Sequence, residues 1–326
     1  MPREAPRAKR YAFLLIPGYS QLGFACALEA LSLANLHPSG QIFYTWRLIG
    51  ETGAPVAAYN GVTTAVDAAL PDLDRDETLV VCAGDLAGEN SSKPILNWLR
   101  RETRKGMDFG ALSSGTYTLA LAGLLSGKRV TTHWQYRDAL TELLPDVIIE
   151  HTLFSVDGRV FTTAGGAASI DMMLDRIMAD YGTDLATWVA DQMVYTDPRA
   201  GSHGQRLSRR ARPDMQQGKL GMALQIMENN LEDPLRPDEI AQAIQLSTRQ
   251  LERLFARHMA MSPKRHYLQL RLEKARGLLR QTSLSVTNIC VACGFQSLSH
   301  FSKSYRSTFG LSPGQEKRGT GDIWPR

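Results

Sequence analysis

Ser113 and His133 are side chains in the front half of the chain whose types and setting suit nucleophilic chemistry. Ser113 lies in DFGALSSGTYTLALAGLL, where a short apolar strand pattern passes through Ser113-Ser114-Gly115 directly into a small-residue helix pattern. Ala111 and Gly115, two positions before and after Ser113, permit the tight strand-to-helix turn that lifts one side chain above a sheet edge. RVTTHW then places His133 after another short strand, as a base for the Ser113 proton, with Asp138 as an orienting carboxylate about a turn and a half into the next helix. A triad also needs held geometry, so the same turn has a second use. Backbone N–H groups of Ser114 and Gly115 at a helix start suit a carboxylate. Tyr19, Phe24, Tyr117, His133 and Trp134 fall where they would rim that turn, and aromatic faces attract quaternary ammonium groups. The ordinary alternative for such aromatics is core.

A second set of residues sits near the C-terminus, where one phrase is written twice about fifty residues apart. The copies are EIAQAIQLSTRQLERLFARHMAMSP, from Glu239 to Pro263, and NICVACGFQSLSHFSKSYRSTFGLSP, from Asn288 to Pro313. Each reads as a helix-turn-helix followed by a Ser-Pro stop, and they align, with one residue inserted in the second turn, as Ile240 with Ile289, Ser247 with Ser297, Leu251 with Phe301 and Phe255 with Tyr305. In the first copy Ile240, Ala243 and Ile244 point inward, and Ser247 caps the second helix. That helix presents Arg249, Gln250, Glu252, Arg253 and Arg257 outward. Arginine binds guanine O6 and N7 bidentately, and glutamate accepts from a cytosine amino group. The second copy presents Leu298, Ser299, His300, Ser302, Lys303 and Arg306, a less charged face suited to softer, more phosphate-directed contact. A helix from Lys264 to about Gln281 joins the copies, so the two reading helices should enter successive major grooves about 34 Å apart.

Those residues must be positioned by two kinds of domain. Tyr11 to Pro17 is a continuous apolar run ended by Pro-Gly, the pattern of a strand buried on both faces. Strands near 44–49, 78–82 and 108–113 alternate with helices near 24–34, 93–105 and 117–125, which predicts a three-layer α/β domain with a mostly parallel sheet. The tail predicts an all-α domain. Charge divides the same way: after residue 200 there are 20 Lys/Arg against 10 Asp/Glu, and before it 17 against 23. A basic domain joined to an acidic one suits a nucleic-acid reader attached to something that does not touch nucleic acid. Cys290 and Cys293 have no second Cys or His pair at zinc spacing, so both read as core and no metal is expected. Apolar runs fall short of the roughly 18 residues of a membrane span, and no signal-peptide pattern is present, so a cytoplasmic protein is expected. Asp197 to Gly218, rich in Pro, Gly, Ser and Arg, reads as a linker whose Arg206, Arg209, Arg210 and Arg212 either brush phosphates or are simply solvated.

The order from YAFLLIPGYSQLGF through ALSSGTYTLALAGLLSGKRVTTHW to FTTAGGAASIDMMLDRI resembles the PfpI-like, class I glutamine amidotransferase-like domain, which is flavodoxin-like. The repeated phrases resemble the AraC-type DNA-binding domain. Together they resemble the GlxA branch of AraC-family transcriptional regulators. The resemblance implies a sensing domain at 10–195, a linker at 196–218 and a DNA-binding domain at 219–318. It implies base contact by Arg249, Glu252 and Arg253. In the catalytic relatives the elbow carries a cysteine where this chain has Ser113, and the acidic residue of their first βα loop is missing here, since no carboxylate precedes Glu29 in GYSQLGFACALE. The resemblance thus implies a catalytically inactive pocket that binds a small nitrogenous effector such as glycine betaine, carnitine or an amino acid. It further implies a cofactor-free homodimer that binds double-stranded promoter DNA, works with RNA polymerase and activates a catabolic operon. The alternative is a bifunctional serine hydrolase or amidase with a DNA-binding tail. The Met-rich helix SIDMMLDRIMADYG is read as core or as a dimer face, and the phrase Pro313-Gly314-Gln315-Glu316 lacks the aromatic that normally follows the second Ser-Pro.

Overall fold

The computed structural model describes residues 7–84, 86–144, 146–205, 218–282 and 284–318. Two compact units divide the chain, Met1–Gln205 and Arg206–Arg326. The linker residues Arg206, Arg209, Arg210 and Arg212 lie outside the described residues.

The first unit begins with β1 (Lys9–Leu15), α1 (Gln21–Ala34) and β2 (Tyr44–Gly50), followed by the short strands β3 (Val56–Ala57), β4 (Thr63–Thr64) and β5 (Ala68–Ala69). Next come β6 (Glu77–Cys82), α2 (Ala87–Asn90), α3 (Lys93–Thr103), β7 (Phe109–Leu112), α4 (Gly115–Leu121), β8 (Arg129–Val130), α5 (Arg137–Leu143) and β9 (Ile148–Ile149). The unit closes with β10 (Phe154–Asp157), β11 (Val160–Thr163), α6 (Ala168–Tyr181) and α7 (Thr183–Gln192). Seven strands form one sheet in the order β10-β11-β7-β6-β1-β2-β5. All neighbours in it are parallel except β10, which is antiparallel to β11.

The apolar run of β1 explains the three layers. Tyr11, Phe13 and Leu15 enter one core with Phe24 and Leu31 of α1, Met172, Met173 and Ile177 of α6 and Val189 of α7. Ala12, Leu14 and Ile16 enter the other with Ile95, Trp98 and Leu99 of α3 and Leu119 of α4. Because successive strand side chains alternate faces, only a strand covered on both sides is apolar throughout. In the Met-rich helix Met172 and Met173 are core while Met178 is exposed. Helix α1 starts three residues before the apolar pattern suggests, because Ser20 caps it by accepting from Gly23 N at 3.4 Å. The β10–β11 hairpin has no signature in the apolar periodicity; Gly158, at φ 64°, makes its turn.

The second unit opens with helix Lys219–Asn229. Its first head comprises Pro237–Ala243 and the reading helix Thr248–Met259, and its second head Val286–Ala292 and the reading helix Leu298–Phe309. The joining helix is Pro263–Gln281, and a short helix Pro313–Arg318 closes the unit. Both turns end the preceding helix in one way. Gln245 (φ 57°) and Gly294 (φ 70°) are left-handed, and the next residue bonds back across the last turn, Leu246 N to Ala241 O at 2.9 Å and Phe295 N to Cys290 O at 3.0 Å. The inserted residue of the second copy is therefore Gln296, just ahead of the cap Ser297. In the first helix Ala241, not Ala243, is buried beside Ile240 and Ile244; Ala243 faces solvent.

The Ser-Pro pairs are helix starts rather than stops. Ser262 accepts from Arg265 N at 3.2 Å and Ser312 from Gln315 N at 3.3 Å, each with proline as the first helical residue. Proline there loses no hydrogen bond, since that N–H has no intrahelical acceptor. The joining helix, 19 residues or about 28 Å long, serves two cores in turn. Tyr267 and Leu270 pack into the first head, and Leu272, Ala275, Leu278 and Leu279 into the second. Between them Arg271 donates to Cys293 O (2.8 Å) and Gly294 O (2.6 Å) and lies 4.0 Å over the Phe295 ring. Gly294 presses on the loop before the first head: a Cβ there would sit 2.7 Å from the carbonyl oxygens of Leu231 and Glu232. The two heads are thus fixed to each other by backbone contact as well as by the joining helix. Cys290 and Cys293 belong to the second core.

An ion pair holds the last helix in place of the missing aromatic. Glu316, 5% exposed, accepts from Arg280 Nε at 2.7 Å and Arg276 Nε at 3.3 Å, and Arg276 also lies over the Phe309 ring at 4.5 Å. Burial pushes the Glu316 carboxyl up, but the Arg280 bond and the charges of Arg280 and Arg276 outweigh it and hold the group below its ordinary 4.5. A depressed carboxyl contributes stability that is present above its unfolded value and lost as pH falls through its folded one. The urea midpoint of the second unit should therefore fall as pH drops below 4.5. Glu316→Gln should cost about 1.5–3 kcal/mol at neutral pH and flatten that profile, as denaturation followed by circular dichroism would record.

Candidate functional site: the serine elbow and the reading helices

Strands β1 and β6 lie side by side at the centre of the sheet, and the chain leaves them in opposite directions, toward β2 and toward β7. Ligands of open α/β sheets collect beyond the carboxyl ends of the strands at such a point. Here the two loops are pressed together: Ser20 N donates to Ala83 O at 3.3 Å, and a Cβ on Gly84 would sit 2.1 Å from Gly18 O. One strand further on, β7 ends in the elbow.

Ser113 has φ 57°, a left-handed backbone on a residue with a side chain. Such a residue costs on the order of 1–2 kcal/mol and persists where its surroundings over-determine it. Ser113 N donates to Thr163 O at 3.0 Å, and Thr132 Oγ1 donates to Ser113 O at 3.0 Å. Two glycines leave the room. A Cβ on Gly115 would lie 2.3 Å from Val81 O, and one on Gly165 would lie 2.5 Å from Ser113 Cβ. Gly115 is legible as an elbow residue from its spacing, whereas Gly165 and Gly84 are sequence-distant and become part of the site only through the sheet order. Gly84 O accepts from both Ser114 Oγ and Tyr136 Oη.

Ser113 is 8% exposed and Ser114 wholly buried, with Gly115 buried behind it. Tyr19 and Phe24 are in the core on the α1 side, where the Tyr19 phenol bonds Gln21 Oε1 (2.7 Å) and Thr64 Oγ1 (2.6 Å). Tyr117 is in the core on the opposite side, 6.2 Å from Tyr136. Burial raises both the Tyr19 and the Tyr117 phenol. The expected single aromatic rim is therefore divided over two faces of the sheet. His133, half-buried, and Trp134, 39% exposed, stay together with ring centroids 5.3 Å apart. Asp138 pairs with Arg137 at 3.5 Å, and the backbone N–H of Gln135 donates to His133 Nδ1 at 3.4 Å.

On the first reading helix Leu251 and Phe255 are wholly buried, while Arg249, Glu252, Arg253 and Arg257 are exposed along the other side. Gln250 is exposed too, but its carboxamide is occupied: Gln250 Oε1 accepts from Ser247 N at 2.8 Å, closing a capping box. On the second helix Leu298, Ser299, His300, Lys303 and Arg306 are exposed and Ser302 is half-buried. Ser297 caps it by accepting from His300 N at 3.4 Å.

An α/β domain with an elbow, followed by two helix-turn-helix heads with basic outward faces, defines a DNA-binding transcriptional regulator. Residues 9–179 match the DJ-1/PfpI family and residues 240–319 match a helix-turn-helix domain. The chain is 42% identical over 305 residues to the HTH-type transcriptional regulator CdhR of Pseudomonas aeruginosa, covering 94% of this chain and 90% of that one. It is 33% identical to the HTH-type transcriptional regulator GlxA of Rhizobium meliloti, covering 98% of both. Its fold matches a crystal structure of an AraC family transcriptional regulator from Pseudomonas putida with TM-score 0.50 and 25% identity, over 56% of this chain and 98% of that one. The chain belongs to the AraC-type transcriptional regulators that carry a DJ-1/PfpI domain, alongside CdhR and GlxA.

Gly165→Ala should destabilise the first unit by about 3 kcal/mol or more, because strain and overlap with Ser113 act together. Gly123→Ala, also at positive φ (72°) but with open space around it, should cost only about 1 kcal/mol. Urea unfolding followed by tryptophan fluorescence separates them, and equal losses would show that the Ser113 contact is soft.

Proposed function

We propose that this regulator reads DNA chiefly through Arg249, Glu252 and Arg253 of its first head, with Arg257 and the second-head residues Leu298, Ser299, His300, Ser302, Lys303 and Arg306 in a supporting role. The observation that carries this reading is the exposure of two arginines flanking a glutamate on a helix whose other face buries Leu251 and Phe255 completely. The second head has Lys303 and Arg306 and no acidic residue along its reading helix, which suits phosphate contact. Arg253→Ala should cost about 1–3 kcal/mol at one base position, whereas Lys303→Ala should weaken all sequences alike and reduce the salt slope by about one. Fluorescence anisotropy on selected and random duplexes at several salt concentrations checks both; equal loss on both duplexes for Arg253→Ala would reduce it to a positioning role.

The first unit is proposed to be a sensor with no enzymatic role. Ser113, Ser114 and Gly115 would form its floor and His133 with Trp134 its aromatic side, for a small effector carrying a carboxylate and a cationic nitrogen. Exposed Trp134 beside His133 supports a trimethylammonium group, since tryptophan is the best of the aromatic faces for cations. Binding would bias a cytoplasmic homodimer toward activating a catabolic operon together with RNA polymerase, which requires the effector to favour one arrangement over another. Calorimetry with glycine betaine, carnitine, choline and arginine tests this, and absence of heat with every trimethylammonium compound would remove it. One observation favours the rival hydrolase reading: Ser113 keeps the strained elbow backbone. Turnover of amide or ester substrates that Ser113→Ala abolishes would establish that rival.

A further inference from the structure

The chain does not leave the first unit freely. Its last described stretch, Arg199 to Gln205, is strapped across the loops that hold the elbow. At the upstream end Asp171, 2% exposed in the first turn of α6, accepts from Arg199 N (2.7 Å), Arg199 Nη2 (2.6 Å) and Tyr195 Oη (2.8 Å). In the middle Leu153 N donates to Gly201 O and His203 O, both at 2.9 Å, and Gly201 lies so close to Phe154 that a Cβ would be 3.0 Å from its ring. At the downstream end the Gln205 carboxamide donates to Thr132 O (2.9 Å), Thr152 O (2.9 Å) and Thr131 Oγ1 (3.0 Å). Thr132 in turn bonds Ser113 O and directly precedes His133.

The two ends differ in quality. Asp171 has a compact set of charge-assisted bonds, which are the stronger kind. Gln205 spreads two amide hydrogens over three acceptors, and its Oε1 is buried with no partner among the described residues, as is the neighbouring Thr152 Oγ1. A buried acceptor left unsatisfied works against the bonds beside it. The downstream end is therefore marginally held, and two of its three acceptors, Thr131 Oγ1 and Thr132 O, lie on the segment leading from the elbow to His133.

We propose that Gln205 is a latch coupling the elbow to the tether of the DNA-binding domain: displacement of the Thr131–His133 segment by an occupant of the elbow releases Gln205 while Asp171 keeps Arg199 anchored, lengthening the tether. This rests on the reading of the first unit as a sensor. Gln205 is a positioning residue in this scheme and touches no effector. Gln205 is the last described residue of the first unit, ahead of helix Lys219–Asn229 of the second, so release acts on the chain between the two units and leaves the residues of the reading helices unchanged.

The test uses the full chain with Gln205→Ala and Gln205→Glu, the second keeping the size but removing the amide donors. Hydrogen exchange reads the Leu153 amide, and a reporter reads a promoter recovered by chromatin capture, in medium without added glycine betaine, carnitine or arginine. Both variants should exchange Leu153 about tenfold faster, the population change expected from one or two net hydrogen bonds. Both should also shift effector-free promoter output, with exchange in β1 and β6 unchanged. Unchanged Leu153 exchange, or faster exchange with unaltered output, would overturn the latch. A general rise across the sheet would overturn it as well, since Gln205 would then be a stabilising residue of the whole domain. The sensor reading fails separately, if wild-type output ignores all three compounds when they are added.

Discussion

A serine held in a left-handed backbone at the end of a central strand sets most of what surrounds it. Ser113 can adopt φ 57° because Gly165 and Gly115 leave the volume that side chains would fill. That requirement dictates where β11 ends, how closely α4 approaches Val81 and why Gly165 must precede α6. The sheet order brings these residues together, since β7 lies between β6 and β11. The same crowding buries Ser114 and fixes the Gly84 carbonyl under two hydroxyls. The elbow is thus a packed corner before it is a site, and whatever function it has operates within that constraint.

The second unit obeys a different constraint, the repetition of one local grammar. Left-handed turn residue, serine cap and proline start recur in both heads, and each head has its own apolar core. Such short helices are stable only through those cores, because a helix of this length is marginal by itself. The copies diverge where packing allows. The first uses the exposed Gln245 in the left-handed turn where the second uses Gly294, which is pressed against the loop holding Leu231 and Glu232. Arg271 closes the remaining gap by binding carbonyls at the end of one helix and covering Phe295, so the joining helix carries polar as well as apolar load.

Much of this was legible beforehand. The double-sided burial of β1 follows from its unbroken apolar run, and the exposed arginines of the first head follow from helical spacing around Leu251 and Phe255. A residue with two local meanings is decided only by the bonds it makes. Ser-Pro is compatible with the end of one helix and the start of the next, and only the Ser262 and Ser312 cap bonds decide. Gln250 is exposed as helical spacing predicts, and its carboxamide also caps the helix. The aromatic set is a third case: Tyr19 and Phe24 follow the first strand and Tyr117 follows the elbow, positions that the α/β order places at one end of the sheet, yet the sheet divides them between its two cores.

By itself the sequence determined the α/β and all-α divisions of the chain, the duplication and the identity of the elbow, because these depend on periodicity, spacing and backbone permission within a few residues. Tertiary structure decided which distant groups meet. Gly165 under Ser113, Gly294 against Leu231, Glu316 between two arginines and Gln205 on Thr132 each join positions separated by tens of residues. The physical reason is that such pairings depend on strand order and helix packing, whose energy is shared among many side chains and leaves no signature in any one stretch of the chain.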